Sequence, residues 1–319
     1  MSDFVPPFHD VFNLNDVFYD EILPLDQFNN LLASYMPSLN VHRPSDIDLF
    51  DRELLEANSP QASYIQFDQI DKMFSSSEEI SLFSLNINSI PSKLDNLLSM
   101  FGNNSLPKIF GFCESKLDTH IENLYEISGY KSFFKSNSTT SGGLALYIKD
   151  TYDCNVVENV SFSKPHLETL GVNVKSNNDD YLFLLVYKRP SADFDAFISD
   201  YKNILNEIKN KKCIIFGDVN LDLLKYETSN FVETYVNLNF ENNFYSFINK
   251  PTRVTSHSAT VIDQIWSNFY IDDPQCNIIM SDVSDHFAPT LKIFGTSEVV
   301  SEIKHVQFRN WRALSTEIF

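Results

Sequence analysis

Polar side chains that could act together in catalysis follow several apolar runs of this sequence. In the segment Cys213–Leu224, an apolar run without helical spacing predicts a buried strand, and Asp218 and Asn220 follow it two residues apart. Because strand side chains alternate, these two would lie on the same side if the strand continued to Asn220. Taken alone, the segment is more simply an Asp/Asn turn. Other apolar runs end in a comparable way, at Asn86, Glu114, Tyr187, Asp263 and His286.

Oxygen donors dominate this group of residues and their neighbours. The carboxylates and amides among them are Glu114, Asp218, Asp263, Asp285, Asn86, Asn88 and Asn220. A donor set with no cysteine and one histidine favours Mg²⁺ over zinc, and Mn²⁺ can substitute for Mg²⁺. Clustered carboxylates repel one another, so a divalent ion would relieve that repulsion and would also attract a phosphate oxygen.

A histidine accompanies the carboxylates in the triplet Ser284–His286. Asp263 could bind one ring nitrogen of His286 and thereby fix its tautomer. An Asp–His pair beside a divalent ion suits phosphoester hydrolysis, because the ion polarises the phosphate, a base activates water, and histidine and asparagine stabilise the crowded phosphorane. Tyr187 adds a hydroxyl group, and the Lys–Arg dipeptide that follows it adds two cations for phosphate contact.

Each of these residues also has a purely structural explanation. Glu114 would be an exposed carboxylate after a strand, Tyr187 would pack within a strand, and a lone histidine such as His286 is more often a satisfied core residue. Asp263 is harder to explain in this way, because an unpaired Asp within the apolar segment Val261–Ile265 would be costly. Since several independent structural reasons would be needed, we favour a common site.

Apolar alternation and helical periodicity predict the elements that would position these residues. Strands are expected over 80–87, 108–113, 144–148, 167–174, 181–187, 213–217, 260–266 and 287–294, and helices over 91–101, 193–208 and 230–240. Asp193 is the expected N-cap of the second of these helices. A further short helix is expected within 23–36. Strands and helices mixed in this manner indicate an α/β protein, in which sites gather at strand ends.

The chain of 319 residues is long enough for one main domain with extensions, and its formal net charge is −19. The acidic excess is uneven, since residues 1–80 carry a net charge of −12 and the remainder carries −7. This balance differs from the basic footprint of most nucleic-acid-binding proteins and counts against tight non-specific DNA binding, but it does not exclude an enzyme that contacts a few phosphates and uses a cation. The sequence contains no P-loop, GxGxxG, GxSxG or HExxH motif.

Cysteine spacing and hydropathy bear on the location of the protein. The four cysteines are far apart in the sequence, which fits a reducing compartment. No apolar run approaches the roughly 18 residues that a membrane span needs. The first residues lack the basic and apolar regions of a secretory signal. We therefore expect an intracellular protein, in the nucleus or the cytoplasm or both, that is not secreted and does not bind membranes.

Six short motifs occur in a characteristic order along the chain: Asn86–Asn88, Cys113–Ser115, Val186–Tyr187, Gly217–Asn220, Ile262–Asp263 and Ser284–His286. In this order they resemble the motifs of the endonuclease/exonuclease/phosphatase superfamily, over about residues 80–295. The resemblance implies a four-layered α/β sandwich, in which two packed, mostly antiparallel β-sheets are flanked by helices. It divides the chain into an acidic, partly disordered extension (1–79), a catalytic domain (80–295) and a C-terminal linker or tail (296–319).

The resemblance also implies a role for each residue of the site. The side chains at or near the metal ion would be Glu114, Asn86 and Asp285. The side chains that act on the attacking water and the scissile phosphate would be Asp218, Asn220, His286, Asp263, Tyr187 and Asn86. Among these, Asp218 would orient or deprotonate water, and Asp263 would orient His286, which would act either as a base or as a charged phosphate stabiliser. Further substrate contacts would come from Asn88, Arg189, Thr252, Arg253 and Ser284.

A closer resemblance is to the apurinic/apyrimidinic-like endonuclease domains of non-LTR retrotransposons. It is carried by Gly142–Ile148, Tyr187–Pro190, Pro251–Arg253 and Thr260–Asn268. The segment 305–319 is similar to the one that leads from such a domain to a reverse transcriptase. The resemblance implies a Mg²⁺-dependent DNA endonuclease that nicks one strand and leaves 3′-hydroxyl and 5′-phosphate ends.

Two other functions stay open at this point. One is a phosphatase or phosphodiesterase of the same fold that acts on inositol phosphate, lipid or nucleotide, although the final motifs lack the Trp-Cys-Asp-Arg-type signature of the inositol phosphatases. The other is a non-catalytic binding module derived from the enzyme. Residues 1–78 are a candidate binding segment for a protein partner, but their composition by itself favours a loosely ordered acidic extension.

Overall fold

The structure is a computed structural model that describes residues 62–294, apart from 71–72, 75–78, 103–104, 137–139, 177–178, 256 and 272. The helix expected within 23–36, most of the predicted extension and the tail 296–319 lie outside these residues. No helix in the described ranges has the length and apolar character that a membrane span requires.

The described ranges contain three α-helices and sixteen strands. The helices are α1 (Ile90–Phe101), α2 (Phe194–Ile208) and α3 (Asn230–Glu241). The strands are, in chain order, β1 (Ser63–Gln66), β2 (Glu79–Asn86), β3 (Ile109–Cys113), β4 (Tyr130–Lys135), β5 (Leu144–Lys149), β6 (Asp153–Val156), β7 (Phe162–Ser163), β8 (Glu168–Ser176), β9 (Asp179–Tyr187), β10 (Lys212–Asp218), β11 (Tyr245–Ser246), β12 (Arg253–Thr255), β13 (Ser258–Thr260), β14 (Asp263–Ser267), β15 (Gln275–Met280) and β16 (Ala288–Phe294).

Two seven-stranded sheets form the centre of the described part of the chain. The first has the strand order β1-β15-β16-β2-β3-β5-β4, and the second has the order β11-β14-β10-β9-β8-β6, with β7 also paired to β8. The pairs β1/β15, β2/β3 and β9/β10 are parallel, and the other neighbours in these two sheets are antiparallel. Strands β12 and β13 form a separate hairpin.

Alternation along the strands gives each sheet an inner and an outer face. In β2, Leu82 packs in the core between the sheets, whereas Phe83 packs on the opposite face against Phe101 of α1, with ring centroids 5.8 Å apart. On the far side of the second sheet, Tyr201 of α2 and Tyr235 of α3 are in ring contact at 5.3 Å. The order helix, sheet, sheet, helices confirms the predicted four-layered sandwich with mostly antiparallel sheets.

Two parallel strand pairs determine where the polar side chains leave the sheets. In the first sheet β2 ends at Asn86 beside the end of β3, and in the second sheet β9 ends at Tyr187, opposite Asp218 at the end of β10. The carboxyl ends of parallel neighbours meet at one edge of a sheet, which is where α/β proteins place ligands. Asn86 at the edge of the first sheet donates a hydrogen bond to Asp218 at the edge of the second, so the two edges meet, and the region between them is called the cleft below.

The predicted elements match the structure best where their patterns are long. Helix α2 follows the predicted N-cap Asp193, whose carboxylate accepts a hydrogen bond from the Ala196 N–H at 2.8 Å. The sequence pattern predicts none of the strands β1, β4, β6, β7, β11, β12 and β15. These strands are short and partly exposed, and most lie at or next to sheet edges, so their apolar alternation is weak. Strand β1 lies within the predicted extension 1–79, so part of that segment belongs to the first sheet.

The single strand predicted over 260–266 is wrong, because two strands occupy this stretch. Strand β13 ends at Thr260 and β14 begins at Asp263. The two residues between these strands, Val261 and Ile262, form hydrogen bonds outside the strand pairing. The Val261 N–H donates to Oδ1 of Asp222 at 3.0 Å, and the Ile262 carbonyl accepts from the Val219 N–H at 3.1 Å. Asp263 is therefore the first residue of a strand, at the edge where the other polar residues emerge.

Gly111 and Phe216 provide a test of how closely the two sheets pack. A Cβ atom added to Gly111 would lie 2.2 Å from Cε2 of the buried Phe216 ring, so we expect Gly111→Ala to lower the free energy of unfolding by about 1–3 kcal/mol. Urea denaturation of Gly111→Ala, Phe216→Leu and the double variant measures the effect. We expect the double variant to be more stable than the two single effects predict, because the smaller side chain makes room; strict additivity would contradict this packing.

Candidate active site

Four polar side chains from the two sheets form one hydrogen-bonded group in the cleft. The Asn86 amide Nδ2 donates to Oε1 of Glu114 at 3.0 Å and to Oδ2 of Asp218 at 2.9 Å. The Tyr187 hydroxyl donates to the same Oε1 of Glu114 at 3.0 Å. Asn86 thus joins the two sheets through a pair of carboxylates, and the structure brings these four predicted residues together.

Local backbone geometry explains how these side chains reach the cleft. Asn86 lies on the same face of β2 as Leu82, which points into the core between the sheets. Glu114 and Asn220 follow their strands in the left-handed region, with φ of 52° and 48°. Asn tolerates this conformation, but for Glu it is uncommon, and strained residues of this kind cluster at functional sites.

A buried Asp–His pair lies beside this group. Asp263 pairs with Asp218 across β14 and β10, and its Oδ2 lies 2.8 Å from Nδ1 of His286. Ligand atoms of Asp218, Asp263 and His286 lie within 4.8 Å of one another. Thr252 is fully buried and donates its hydroxyl to Oδ2 of Asp263 at 2.7 Å, while that hydroxyl accepts from the Asp263 N–H at 3.0 Å.

Burial and neighbouring charges shift the ionisation of Asp218. Burial raises the pKa of this carboxyl, and the negative charge of Asp263 raises it further. The charge of His286 and hydrogen bonds from Asn86 and from the Asn220 N–H act in the opposite direction, but the pKa stays above its ordinary value. Asp218 is thus a carboxylate that accepts a proton more readily than an exposed aspartate does.

The opposite balance holds for His286. Burial lowers the pKa of the imidazole, but the charge of Asp263, their hydrogen bond and the charges of Asp218 and Asp285 outweigh burial and raise the pKa to about 9. At neutral pH His286 is therefore a cation held between carboxylates. Nδ1 is bound by Asp263, which leaves Nε2 for a substrate oxygen.

The donor set of the cleft fits a hard divalent cation. The carboxylates of Glu114 and Asp218 lie close enough to share the amide group of Asn86, and all their potential ligand atoms are oxygens. Burial, followed by the charges of Glu114 and Asp218, raises the pKa of Tyr187, so its hydroxyl stays neutral and donates. Residues of this kind suit Mg²⁺ or Mn²⁺ better than zinc.

The remaining predicted residues border the cleft in different ways. The Ser284 hydroxyl donates to the Asn86 carbonyl at 2.7 Å, and the Asn88 N–H donates to Oδ1 of Asn86 at 3.2 Å. Arg253 and Asp285 are paired with each other, through Nη2 and Oδ2 at 2.7 Å. This pair is half-exposed, and Asp285 lies near enough to His286 for its charge to raise the pKa of the imidazole.

Two predicted substrate contacts are engaged within the protein. Arg189 donates through Nη2 to Oε1 of the buried Glu168 at 2.8 Å. Thr252 has no exposed surface and binds Asp263, so the structure places it behind the Asp–His pair instead of on a substrate-facing surface. The sequence alone could not show this, because it does not reveal which way a loop threonine points.

Lys116 also belongs to the site, although the sequence does not predict it there. Its Nζ bonds Oδ1 of Asn88 and lies 3.6 Å from Oε2 of Glu114. Lys116 has a left-handed backbone conformation, with φ of 51°, as Glu114 does. The side chains of both residues therefore reach the same site although they are two residues apart. The only signal in the sequence was its spacing from Glu114. It supplies part of the positive charge that offsets the acidic group.

The Asp263–His286 pair predicts a measurable titration. In metal-free protein kept in chelator, we expect the imidazole signals of His286 to titrate near pH 9, because the neighbouring carboxylates hold its proton. Asp263→Asn should lower this pKa by more than one unit, since burial remains while the main compensating charge is lost. NMR of the histidine C–H groups measures both values, with Asp95→Asn on the exposed face of α1 as the matched control. A His286 that titrates at its ordinary value in the parent protein would contradict the assigned pairing.

No protein-family model matches the chain, and no curated protein matches it by sequence. Among solved structures, the chain is similar to the endonuclease domain of TRAS1, a telomere-specific non-LTR retrotransposon, with 12% identity, a TM-score of 0.53, and coverage of 67% of this chain and 97% of that domain. It is also similar to the 3′-5′ exonuclease NExo from Neisseria meningitidis, with 14% identity, a TM-score of 0.51, and coverage of 67% and 99%. The chain therefore has the endonuclease/exonuclease/phosphatase fold.

Proposed function

We propose that this chain is a Mg²⁺-dependent endonuclease that hydrolyses phosphodiester bonds of DNA and nicks one strand. The observation that carries the proposal is the meeting of Asn86, Glu114 and Asp218 in one group, with a buried Asp–His pair beside it. Residues far apart in sequence supply oxygen ligands, a proton acceptor and a cation within one cleft. That combination fits hydrolysis of a phosphoester.

Glu114 and Asn86 are the residues that would hold the cation. A bound Mg²⁺ ion would polarise a phosphate oxygen and neutralise developing charge. Tyr187 keeps Glu114 oriented through its hydrogen bond to Oε1, and Lys116 balances the other carboxylate oxygen. Asp285 was predicted near the ion, and its pairing with Arg253 gives that role less support than Glu114 has.

Asp218 is the proposed base. Its raised pKa fits a group that takes a proton from the attacking water, and Asn86 and the Asn220 N–H each bind one of its oxygens. Asn220 also donates its side-chain amide to the Lys188 carbonyl at 2.8 Å, which fixes the turn after β10. The base is therefore held on both oxygens before a substrate arrives.

His286 is the proposed charged stabiliser of the phosphate. Because the imidazole is already protonated at neutral pH, it is suited to donate through Nε2 to a phosphate oxygen and is poorly suited to accept a proton. Asp263 holds the charged ring, and Thr252 holds Asp263. Of the two roles that the sequence leaves open, the raised pKa of His286 favours this one.

DNA is the proposed substrate because the TRAS1 domain of the same fold is an endonuclease of a retrotransposon. The motifs at Gly142–Ile148 and Thr260–Asn268 also resemble those of retrotransposon endonuclease domains. Lys116 and Arg253 add positive charge near the site, while the chain as a whole is acidic, so we expect weak DNA binding that falls further as the salt concentration rises. A nuclear or cytoplasmic location fits this substrate and stays a prediction.

Asp218→Asn tests the base directly. Asparagine keeps the size of the side chain but cannot accept a proton at neutral pH, so we expect nicking of supercoiled plasmid in Mg²⁺ to fall by about 10²-fold or more. Conversion to open circle measures the rate, with chelator and Asp95→Asn as controls. If the parent protein leaves plasmid intact in both Mg²⁺ and Mn²⁺, the endonuclease proposal fails; phosphate release from inositol phosphates or nucleotides would then favour the phosphatase alternative.

Thr252→Val distinguishes a positioning role from substrate contact. Valine keeps the shape of the side chain but removes the hydroxyl that bonds Asp263, so we expect kcat to fall about tenfold while KM for DNA stays within about twofold. Steady-state kinetics on a labelled duplex measures both constants, and Thr234→Val on the exposed face of α3 is the matched control. A rise in KM with unchanged kcat would show that Thr252 contacts the substrate.

A further inference from the structure

Glu168, the first residue of β8, is a fully buried carboxylate outside the catalytic group. Its Oε2 accepts a hydrogen bond from the Gly143 N–H at 2.7 Å, and its Oε1 accepts from Nη2 of Arg189 at 2.8 Å. A buried charge of this kind is costly unless it is paired and hydrogen-bonded. The proposed reaction assigns no role to Glu168, although it opposes Tyr187 in the β8–β9 pair.

The diglycine Gly142–Gly143 connects Glu168 to the turn that carries Glu114. The Gly143 carbonyl accepts from the Ser115 N–H at 3.0 Å, and the Gly142 carbonyl accepts from the Lys116 N–H at 3.0 Å. These are the two residues that follow Glu114. The backbone that follows Glu114 is thus hydrogen-bonded to Gly142 and Gly143, and Gly143 is in turn hydrogen-bonded to Glu168.

Close packing fixes the diglycine in place. Gly142 and Gly143 have φ of 69° and 88°, which favours glycine over residues with side chains. A Cβ atom on Gly142 would lie 2.4 Å from Oε1 of Glu168, and one on Gly143 would lie 2.4 Å from Oγ of Ser115. The segment therefore fits between Glu168 and the Glu114 turn with no space for a side chain on either residue.

Arg189 links Glu168 to Glu114 by a second path, through Tyr187. It bonds Glu168, and it lies two residues after Tyr187, whose hydroxyl donates to Glu114. Glu168 therefore anchors two paths that end at one carboxylate: one through the Gly143 backbone and one through the strand end at Tyr187. Both carboxylate oxygens of Glu168 are thus bound by groups that support Glu114.

We propose that Glu168 is a positioning residue for Glu114, acting through Gly143 and Arg189 to hold the turn of the metal-binding carboxylate in its strained conformation. The inference rests on the proposed function, because it treats Glu114 as a ligand of a divalent ion. It gives Arg189 a role behind the site instead of the substrate contact expected from the sequence. Residues that orient metal ligands typically change metal affinity by about 10–100-fold when they are replaced.

The test compares Glu168→Gln with Asp179→Asn in the full chain. Glutamine keeps the volume and a hydrogen-bond acceptor but removes the charge that holds Arg189. Asp179 forms an ion pair with Lys212 at 2.6 Å, at the other end of the same sheet, so its loss is a matched control for removing a salt bridge. Three properties are measured: Mn²⁺ affinity without DNA, by electron paramagnetic resonance; kcat and KM for nicking; and the thermal midpoint of unfolding.

We expect Glu168→Gln to weaken Mn²⁺ binding about tenfold or more and to lower kcat by a similar factor, with KM for DNA within about twofold of the parent. Asp179→Asn should match the parent in both Mn²⁺ affinity and kcat. Parent-like Mn²⁺ affinity in folded Glu168→Gln would overturn the proposal, as would a loss of activity that only follows the unfolded fraction.

Gly143→Ala decides the matter if Glu168→Gln does not fold. The added Cβ disturbs the same path without touching Glu168, so weakened Mn²⁺ binding supports the proposal and parent-like binding overturns it. Different results would contradict the endonuclease proposal and the positioning role of Glu168. A parent protein that binds Mn²⁺ but cuts no DNA would refute the endonuclease, while weaker Mn²⁺ binding by Glu168→Gln would still support the role of Glu168. A parent protein that binds no Mn²⁺ would overturn the positioning role.

Discussion

Electrostatic repulsion among acidic side chains is the constraint on which this structure depends. Asp218 and Asp263 oppose each other across two buried strands, and Glu114 shares the amide of Asn86 with Asp218. In water such groups would separate, but strands that belong to two packed sheets hold them at fixed positions. Burial and the charge of Asp263 raise the pKa of Asp218. Burial lowers the pKa of His286, but the charges of the carboxylates around it raise that pKa by more.

The fold tolerates the repulsion because each acid has its own neutralising or hydrogen-bonding partner. His286 and Thr252 bind Asp263, and Lys116 lies beside Glu114. Acidic groups still outnumber basic groups at the centre of the cleft. A bound cation would therefore lower the electrostatic energy of the folded protein. The same feature that makes the cleft costly to fold therefore makes it suited to bind a metal ion and, through the ion, a phosphate.

The sequence revealed the site better than it revealed the supports around the site. Strand ends such as Asp218 after Cys213–Gly217 could be predicted, because a long buried strand has a clear apolar pattern and a polar residue at its end is conspicuous. The short edge strand β1 could not, because an edge strand is only partly buried. Glu168 and Thr252 were missed as supports for a different reason: hydrogen bonds between distant segments leave no periodic signal in the sequence.

The position of manganese in crystals of the full chain soaked in Mn²⁺, located by anomalous scattering, tests the proposed cation site most directly. We expect a peak within coordination distance of the Glu114 carboxylate, about 2 Å from an oxygen, and the loss of that peak in Glu114→Gln. A peak elsewhere on the protein, or none at the cleft in crystals where Glu114 and Asp218 keep their positions, would contradict the claim that this acidic cleft exists to bind a cation.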